Sequence, residues 1–293
     1  MPIGVHTSIA GGVSNSIDRA VALGCDAVRI FGRNPRTWSF SPVEGTEAGL
    51  FKSKREKAGL WPVAVHTTYL INLCAPVEET FEKSVNLFKL ELASAEALGA
   101  DYLVTHLGSP GELGGEFARA RILEALREAA QDGLGKKTGI LLENTAGSGH
   151  TYGSSLHEIG MVAKGAEGFG LRVGLCLDTC HAFAAGYAMT TPAEVEGLVS
   201  TLDREAGLER VKLIHLNDSK GAFGSRLDRH EHIGEGHIGR EGFTAILSHL
   251  ALSKIPMILE TPKKSEDDDR RNLKTVRDIL KKARVQQPKR GLR

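Results

Sequence analysis

The stretch Val63-Ala-Val-His66, then Glu78-Glu-Thr-Phe-Glu-Lys-Ser-Val-Asn-Leu-Phe-Lys-Leu-Glu-Leu-Ala-Ser-Ala-Glu-Ala-Leu98, then Tyr102-Leu-Val-Thr-His106 changes its hydrophobic pattern twice. The outer runs are short and aliphatic or β-branched, the pattern of buried strands. The middle run places Phe81, Val85, Phe88, Leu92 and Ala95 at spacings of three and four, the apolar stripe of an amphipathic helix. A strand, a long helix and a second strand form the unit that parallel pairing requires, because a parallel neighbour can be reached only by a crossover.

The same unit recurs on both sides. Strand-like runs occupy Ile3 to His6, Ala27 to Phe31, Ile140 to Glu143, Val173 to Asp178, Val211 to His215 and Met257 to Glu260, and helical spacing returns in Glu116 to Ala130 and Arg270 to Lys282. The eight predicted strands stand roughly 36 residues apart, enough for a strand and a crossover helix. This spacing predicts an α/β protein of the (β/α)8 TIM-barrel class, a single domain over residues 1–285 with a basic tail at 286–293. A doubly wound open sheet is the alternative; the first turn lacks Gly-x-Gly-x-x-Gly, and eight units suit closure. Ser265-Glu-Asp-Asp-Asp269 places a capping residue and carboxylates at the start of the last helix, where the helix dipole favours negative charge.

Composition narrows the class. The chain has 293 residues, 41% hydrophobic and 25% charged, which excludes disordered and fibrous proteins. No apolar run reaches the roughly 18 residues of a membrane helix. Met1 to Ser8 lacks the basic and apolar regions of a secretory signal, so a cytoplasmic location is expected. Cys25, Cys74, Cys176 and Cys180 show no CxxC pair and are expected to be reduced, buried small hydrophobes. With 37 Lys+Arg against 36 Asp+Glu, a net charge of +1 argues against a broad basic surface for nucleic acid.

In a barrel the active site lies at the C-terminal ends of the strands. Polar residues gather there: His6, His66, His106, Glu143, Asp178, His215 and Glu260 end predicted strands, His181 follows Asp178, and Asp228 and His230 lie in the loop after strand seven. Mixed imidazole and carboxylate donors suit zinc, or manganese and iron, better than magnesium or calcium. Nine of these (His66, His106, Glu143, Asp178, His181, His215, Asp228, His230 and Glu260) exceed one ion's need and point to two or three. Clustered metals in one mouth suit phosphodiester hydrolysis, in which one ion generates the nucleophile and another stabilises the leaving oxygen. His6 is expected to support a ligand, and His232 and His237 to serve the loop or a phosphate. His150, His157 and His249 carry no site argument.

Four segments carry a resemblance: Leu142-Glu-Asn-Thr-Ala-Gly147, Cys176-Leu-Asp-Thr-Cys-His-Ala-Phe-Ala-Ala-Gly-Tyr187, Ile214-His-Leu-Asn-Asp-Ser-Lys220 and Gly224-Ser-Arg-Leu-Asp-Arg-His-Glu-His-Ile-Gly-Glu-Gly-His-Ile-Gly239. They resemble the signature segments of the endonuclease IV family, zinc-dependent apurinic/apyrimidinic (AP) endonucleases, and the likeness runs from Gly4 to Thr261. The resemblance implies three Zn2+ sites per chain, with Mn2+ admissible: His66, His106 and Glu143; bridging Glu143 with Asp178, His215 and Glu260; and His181, Asp228 and His230. It implies cleavage of double-stranded DNA 5′ to an abasic site, leaving a 3′-hydroxyl and a 5′-deoxyribose phosphate, with trimming of blocked 3′ ends. Glu143 would be the catalytic residue that orients the nucleophile. Asn34, Arg36, Trp38, Tyr69 and Leu70 match DNA-binding segments that enter the duplex and hold the abasic nucleotide out of the stack. Thr67, Leu107 and Pro35 depart from the residues common there. The chain is expected to act as a monomer, without a membrane.

Two other readings of the residues are a metal-dependent sugar isomerase or epimerase on a related barrel and a non-catalytic barrel that binds damaged DNA. The third donor cluster speaks against the first; against the second, structural zinc sites are closed, whereas this mouth opens onto loops. Three divalent ions would carry six positive charges into the cleft, so the +1 total is compatible with a DNA substrate.

Overall fold

The structure, a computed structural model, describes residues 1–286. From the N-terminus run β1 (Ile3–His6), α1 (Asn15–Ala22), β2 (Ala27–Phe31), α2 (Gly45–Ala58), β3 (Val63–His66), α3 (Glu78–Leu98), β4 (Tyr102–Thr105), α4 (Gly114–Gln131) and β5 (Gly139–Glu143). There follow α5 (Leu156–Gly165), β6 (Val173–Asp178), α6 (Thr179–Ala185), α7 (Pro192–Ala206), β7 (Val211–His215), β8 (Asp218–Ser219), β9 (His230–Glu231), α8 (Gly239–Ser248), β10 (Met257–Leu259) and α9 (Asp268–Gln286). Eight parallel strands close in the order β1-β10-β7-β6-β5-β4-β3-β2, so the expected barrel forms; β8 and β9 make a separate antiparallel ribbon.

All eight predicted strands are present, with ends shifted by at most one residue. The helices expected from Glu116 and Arg270 start two residues earlier, at Gly114 and Asp268. Gln286, expected to open the tail, is the last residue of α9; residues 287–293 lie outside the described residues.

Burial drives the wrapping. In α3, Phe88 and Leu92 are fully buried, each adding roughly 1.5–3 kcal/mol. The Lys83–Glu79 pair on the same helix is exposed and screened by water, so packing docks the helix. Gly99 ends α3 in the left-handed conformation, with φ 67°.

Inside the barrel, Ala27, Ala64, Val104, Leu141, Cys176, Leu213 and Ile258 form a small core of their own. Side chains alternate along a strand, so the residue two positions later also points inward, one layer nearer the mouth. Those residues are Arg29, His66, His106, Glu143, Asp178, His215 and Glu260. Strand periodicity thus gathers six of the nine expected donors into one layer. In β1 the interior position below His6 is Gly4, where a Cβ would collide with the Ala27 carbonyl. Between β6 and β7 a register shift at Leu175/Cys176 brings Asp178 level with His215.

Candidate metal centre

Glu143 lies at the middle of the layer, fully buried. Its Oε2 is 2.8 Å from His66 Nε2 and 3.5 Å from His106 Nε2. Its Oε1 is 2.6 Å from His215 Nδ1, which is 3.4 Å from Glu260 Oε2. Asp228 Oδ1 is 3.2 Å from His181 Nε2 and 3.5 Å from His230 Nε2, and Asp178 Oδ2 stands 3.7 Å from His230 Nε2. Donor atoms of His66, His106 and Glu143 lie within 4.8 Å of one another, as do those of Glu143, Asp178, His215 and Glu260. The same holds for Asp178, His181 and His230, so all nine expected residues converge with Asp228 at the edge.

Ring orientation tests whether this donor set fits divalent ions. His66 Nδ1 lies 2.8 Å from the Thr67 carbonyl, His181 Nδ1 2.9 Å from the Asn144 carbonyl and His230 Nδ1 2.8 Å from the Glu260 carbonyl. A carbonyl only accepts, so each Nδ1–H donates, and Nε2 is the nitrogen each ring turns to the cluster, free to ligate once it carries no proton. His230 Nε2 is buried without a hydrogen-bond partner. Four carboxylates share this space with five imidazoles. Divalent ions fit such a set by neutralising carboxylates that cannot all ionise side by side without a counter-charge.

The pocket's own charges respond strongly. Burial pushes the His106 imidazole down to about 4 and also lowers His66. Burial works against charging His181 too, but Asp178 and Asp228 outweigh it and raise His181 to about 10. His215 is raised well above its ordinary value: the cost of burial is overcome by the Cys176 sulfur and the Glu260 and Glu143 carboxylates beside it. Glu143 resists the upward push of burial because His215 and His106 hold it well below the usual carboxylate range.

Neighbouring amides aim the donors. Asn217 Nδ2 donates to Asp178 Oδ2 at 2.6 Å while its Oδ1 accepts from the Glu260 N–H at 2.7 Å. Asn144 Oδ1 accepts from the Asp178 N–H at 2.7 Å. Asp178 also caps α6, its Oδ1 accepting from the His181 N–H at 2.8 Å. These amides stand inside the quoted motifs, yet as neutral side chains they carry no ligand signal in the sequence. Arg29 sits inside β2 rather than at its end, so strand-end residues do not reveal it: its Nε lies 2.8 Å from Glu260 Oε1 and its Nη1 2.9 Å from His6 Nδ1. Arg29 thus links His6 to the expected donor Glu260. His232 Nδ1 accepts from Asn272 Nδ2 at 3.0 Å, which ties its loop to α9. All four cysteines are free; Cys25 is only half-buried, and Cys176 places its sulfur beside Glu143 and His215.

Asp218 secures the loop that carries His230. Its Oδ1 accepts from the N–H groups of Ser219 and Ile238 at 2.8 and 3.0 Å, and its Oδ2 from those of Gly234 and Gly236 at 2.9 and 3.0 Å. A Cβ at Gly236 would come within 2.6 Å of Asp218 Oδ1. The ribbon then pairs Ser219 with His230. Asp218→Asn is expected to destabilise the protein by about 2–6 kcal/mol, because an NH2 facing two buried N–H groups leaves them unpaired at about 1–3 kcal/mol each. Denaturant unfolding measures it; a loss under about 1 kcal/mol would show that the loop is held by other contacts.

A cavity of about 340 Å3 opens above the donors, lined also by Tyr69, Phe31 and Lys263. Tyr69 is 66% exposed and Trp38 44%; Asn34 and Arg36 are exposed, and Leu70 is half-buried. Thr67 and Leu107, beside two donors, are buried, and the Thr67 hydroxyl bonds Thr105 at 3.0 Å. Their departures from the common residues leave the donors converged.

A family described as xylose isomerase-like TIM barrel matches residues 17–283. A "Probable endonuclease 4" of Chloroflexus aurantiacus is 42% identical over 282 residues, covering 96% of this chain and 98% of the relative. The chain belongs to the endonuclease IV family. Another member, from Halothermothrix orenii, is 43% identical over 270 residues, covering 92% of this chain and 96% of its own. The crystal structure of endonuclease IV from Thermus thermophilus superposes with a TM-score of 0.84 at 38% identity, covering 96% and 100% of the two chains. A D-tagatose 3-epimerase-like protein shares the fold alone, at 19% identity and a TM-score of 0.73. Among the described residues no helix is long and apolar enough to cross a membrane.

Proposed function

We propose that this chain, a metal-dependent endonuclease of DNA repair, hydrolyses the phosphodiester 5′ to an abasic site in double-stranded DNA, leaving a 3′-hydroxyl and a 5′-deoxyribose phosphate. In this reading three divalent ions occupy the mouth, Zn2+ with Mn2+ admissible, held by His66, His106, Glu143, Asp178, His181, His215, Asp228, His230 and Glu260. The carrying observation is the convergence of these donors, three imidazoles among them fixed by Nδ1–H bonds to main-chain carbonyls. One chain supplies every donor, which supports action as a monomer. Trimming of blocked 3′ ends belongs to the same proposal, since it breaks the same bond type.

Bound divalent ions supply a nucleophile at neutral pH and a counter-charge for the departing oxygen. The chain does the rest. Glu143, kept ionised between His66 and His215, orients the attacking group with both carboxylate oxygens facing the cluster. Asn144 and Asn217 keep Asp178 and Glu260 aimed inward. At the rim, Tyr69 and Leu70 fill the gap left by the missing base, while Arg36, Asn34 and Trp38 hold the strand. Selectivity follows because an abasic nucleotide has little stacking to lose when it leaves the duplex.

The test is a nicking assay on a duplex with one abasic site, joined to metal analysis. The expected result is incision on the 5′ side and close to three ions per chain. Fully loaded protein that leaves the duplex intact would overturn the reading.

A further inference from the structure

We infer that Glu91, a buried carboxylate on α3, is the positioning residue that ties the two DNA-facing loops together and thereby sets affinity for the abasic duplex; the inference rests on the function proposed above. Glu91 is 3% exposed and lies between the apolar positions Phe88 and Leu92, where an apolar residue would pack without the cost of burying a charge. Each of its oxygens serves a different loop. Oε1 accepts from Arg33 Nη1 at 3.2 Å, in the loop after β2. Oε2 accepts from the Thr68 N–H at 3.0 Å, in the loop after β3.

Arg33 passes the restraint on. Its Nη2 donates to the Thr37 carbonyl at 2.5 Å, to Thr37 Oγ1 at 3.2 Å and to the Ser39 carbonyl, so residues 33–39 curl around one guanidinium. Within that curl Asn34 Oδ1 accepts from the Arg36 N–H at 3.1 Å. Among the described residues Glu91 is the only carboxylate paired with Arg33. Thr68 directly precedes Tyr69 and Leu70. The backbones that present Asn34, Arg36 and Trp38 on one side, and Tyr69 and Leu70 on the other, therefore hang from the two oxygens of a single carboxylate. The rings of Tyr69 and Trp38 are largely exposed, Tyr69 meeting Phe31 only edge-on at 5.2 Å, so side-chain packing alone holds these segments weakly. Ordering them before DNA arrives removes a cost that binding would otherwise bear.

Glu91 is not among the nine donors, so its removal should act on binding and leave the chemical step alone. Glu91→Gln keeps an acceptor for the Thr68 N–H but loses the charge that holds Arg33. The expected result is a KM for abasic duplex raised about tenfold with kcat unchanged. Arg33→Gln should do the same, and the double variant should be no worse than either single one, since all remove the same link. In a Glu143→Gln background, fluorescence anisotropy should show Kd for the same duplex rising by a similar factor. Amide hydrogen exchange should quicken over residues 33–39 and 68–71 more than elsewhere in the barrel while the metal content stays put; the thermal midpoint should fall in both single variants, since each leaves a buried charged partner unpaired. Unchanged KM, Kd and exchange in both single variants would overturn the inference, as would a fall in kcat with KM unmoved. A wild-type protein that binds the duplex without nicking it strikes the proposed function instead; Kd and exchange still decide the role of Glu91.

Discussion

Glu143→Gln is expected to remove nearly all nicking of an abasic duplex while the barrel stays folded. The substitution keeps the volume of the side chain but takes the charge from a fully buried carboxylate facing His66, His106 and His215. Losing a group that merely supports a metal ligand typically costs about 10–100-fold in affinity or activity. Glu143 stands between two donor groups at once, so the expected loss of kcat exceeds that range. The measurement is single-turnover nicking at saturating metal, with circular dichroism to verify the fold. A variant that retains a near-native rate would refute a bridging role.

Chelation of the metals is the second large effect. Nicking should stop, and the thermal midpoint should fall on the order of 10 °C for each tightly held ion. A ligand present at about 1,000 times its Kd adds about 4 kcal/mol, and each kcal/mol moves the midpoint of a chain of 150–250 residues by about 2–4 °C. The pH dependence follows from the imidazoles. At pH 7 the metal-free pocket holds protons on His181, raised to about 10, and on His215, also raised; His106, near 4, is neutral. An incoming ion must expel the first two protons, so metal affinity should tighten as pH rises, by up to about tenfold per unit for each proton displaced.

The metal-free protein should show the opposite trend. A histidine raised on folding contributes stability fully below its unfolded value of about 6.5, and His181 loses that contribution as pH rises through about 10. Calorimetric titration of zinc into the metal-free protein, in buffers of different ionisation enthalpy, counts the protons released. Zinc binding that weakens from pH 6 to pH 8 would contradict the charge assignment.

Much of this protein was legible residue by residue. Val63-Ala-Val-His66 and the spacing of Phe81, Val85, Phe88, Leu92 and Ala95 announce a strand and a helix because strand and helix periods differ. Each donor at a strand end follows an interior residue by two positions, as Glu143 follows Leu141 and Asp178 follows Cys176. The segments around His181 and Asp228 display the third group of donors as plainly.

Polar partnerships were a different matter. In the sequence Arg29 is one arginine in an apolar run, and only the two-residue parity of β2 could have marked it as a neighbour of Glu260. Glu91 resembles any helical glutamate until its oxygens are found against Arg33 and Thr68, 58 and 23 residues away in the chain. Asp218 likewise reveals its hold on the following loop only when Gly234, Gly236 and Ile238 fold back over it.

By itself the sequence determined the eight strand–helix units, the inward parity of their side chains and the chemical kind of each donor. Local periodicity and residue type suffice for these, since burial selects them one strand at a time. Only the tertiary structure decided which donors meet, which ring nitrogen each imidazole offers and which charged groups hold the loops. Those depend on barrel closure, which hydrogen-bonds β1 to β10 and sets Glu143 within reach of residues from β3, β4 and β7. A hydrogen bond is directional and short, and along the chain nothing records its direction.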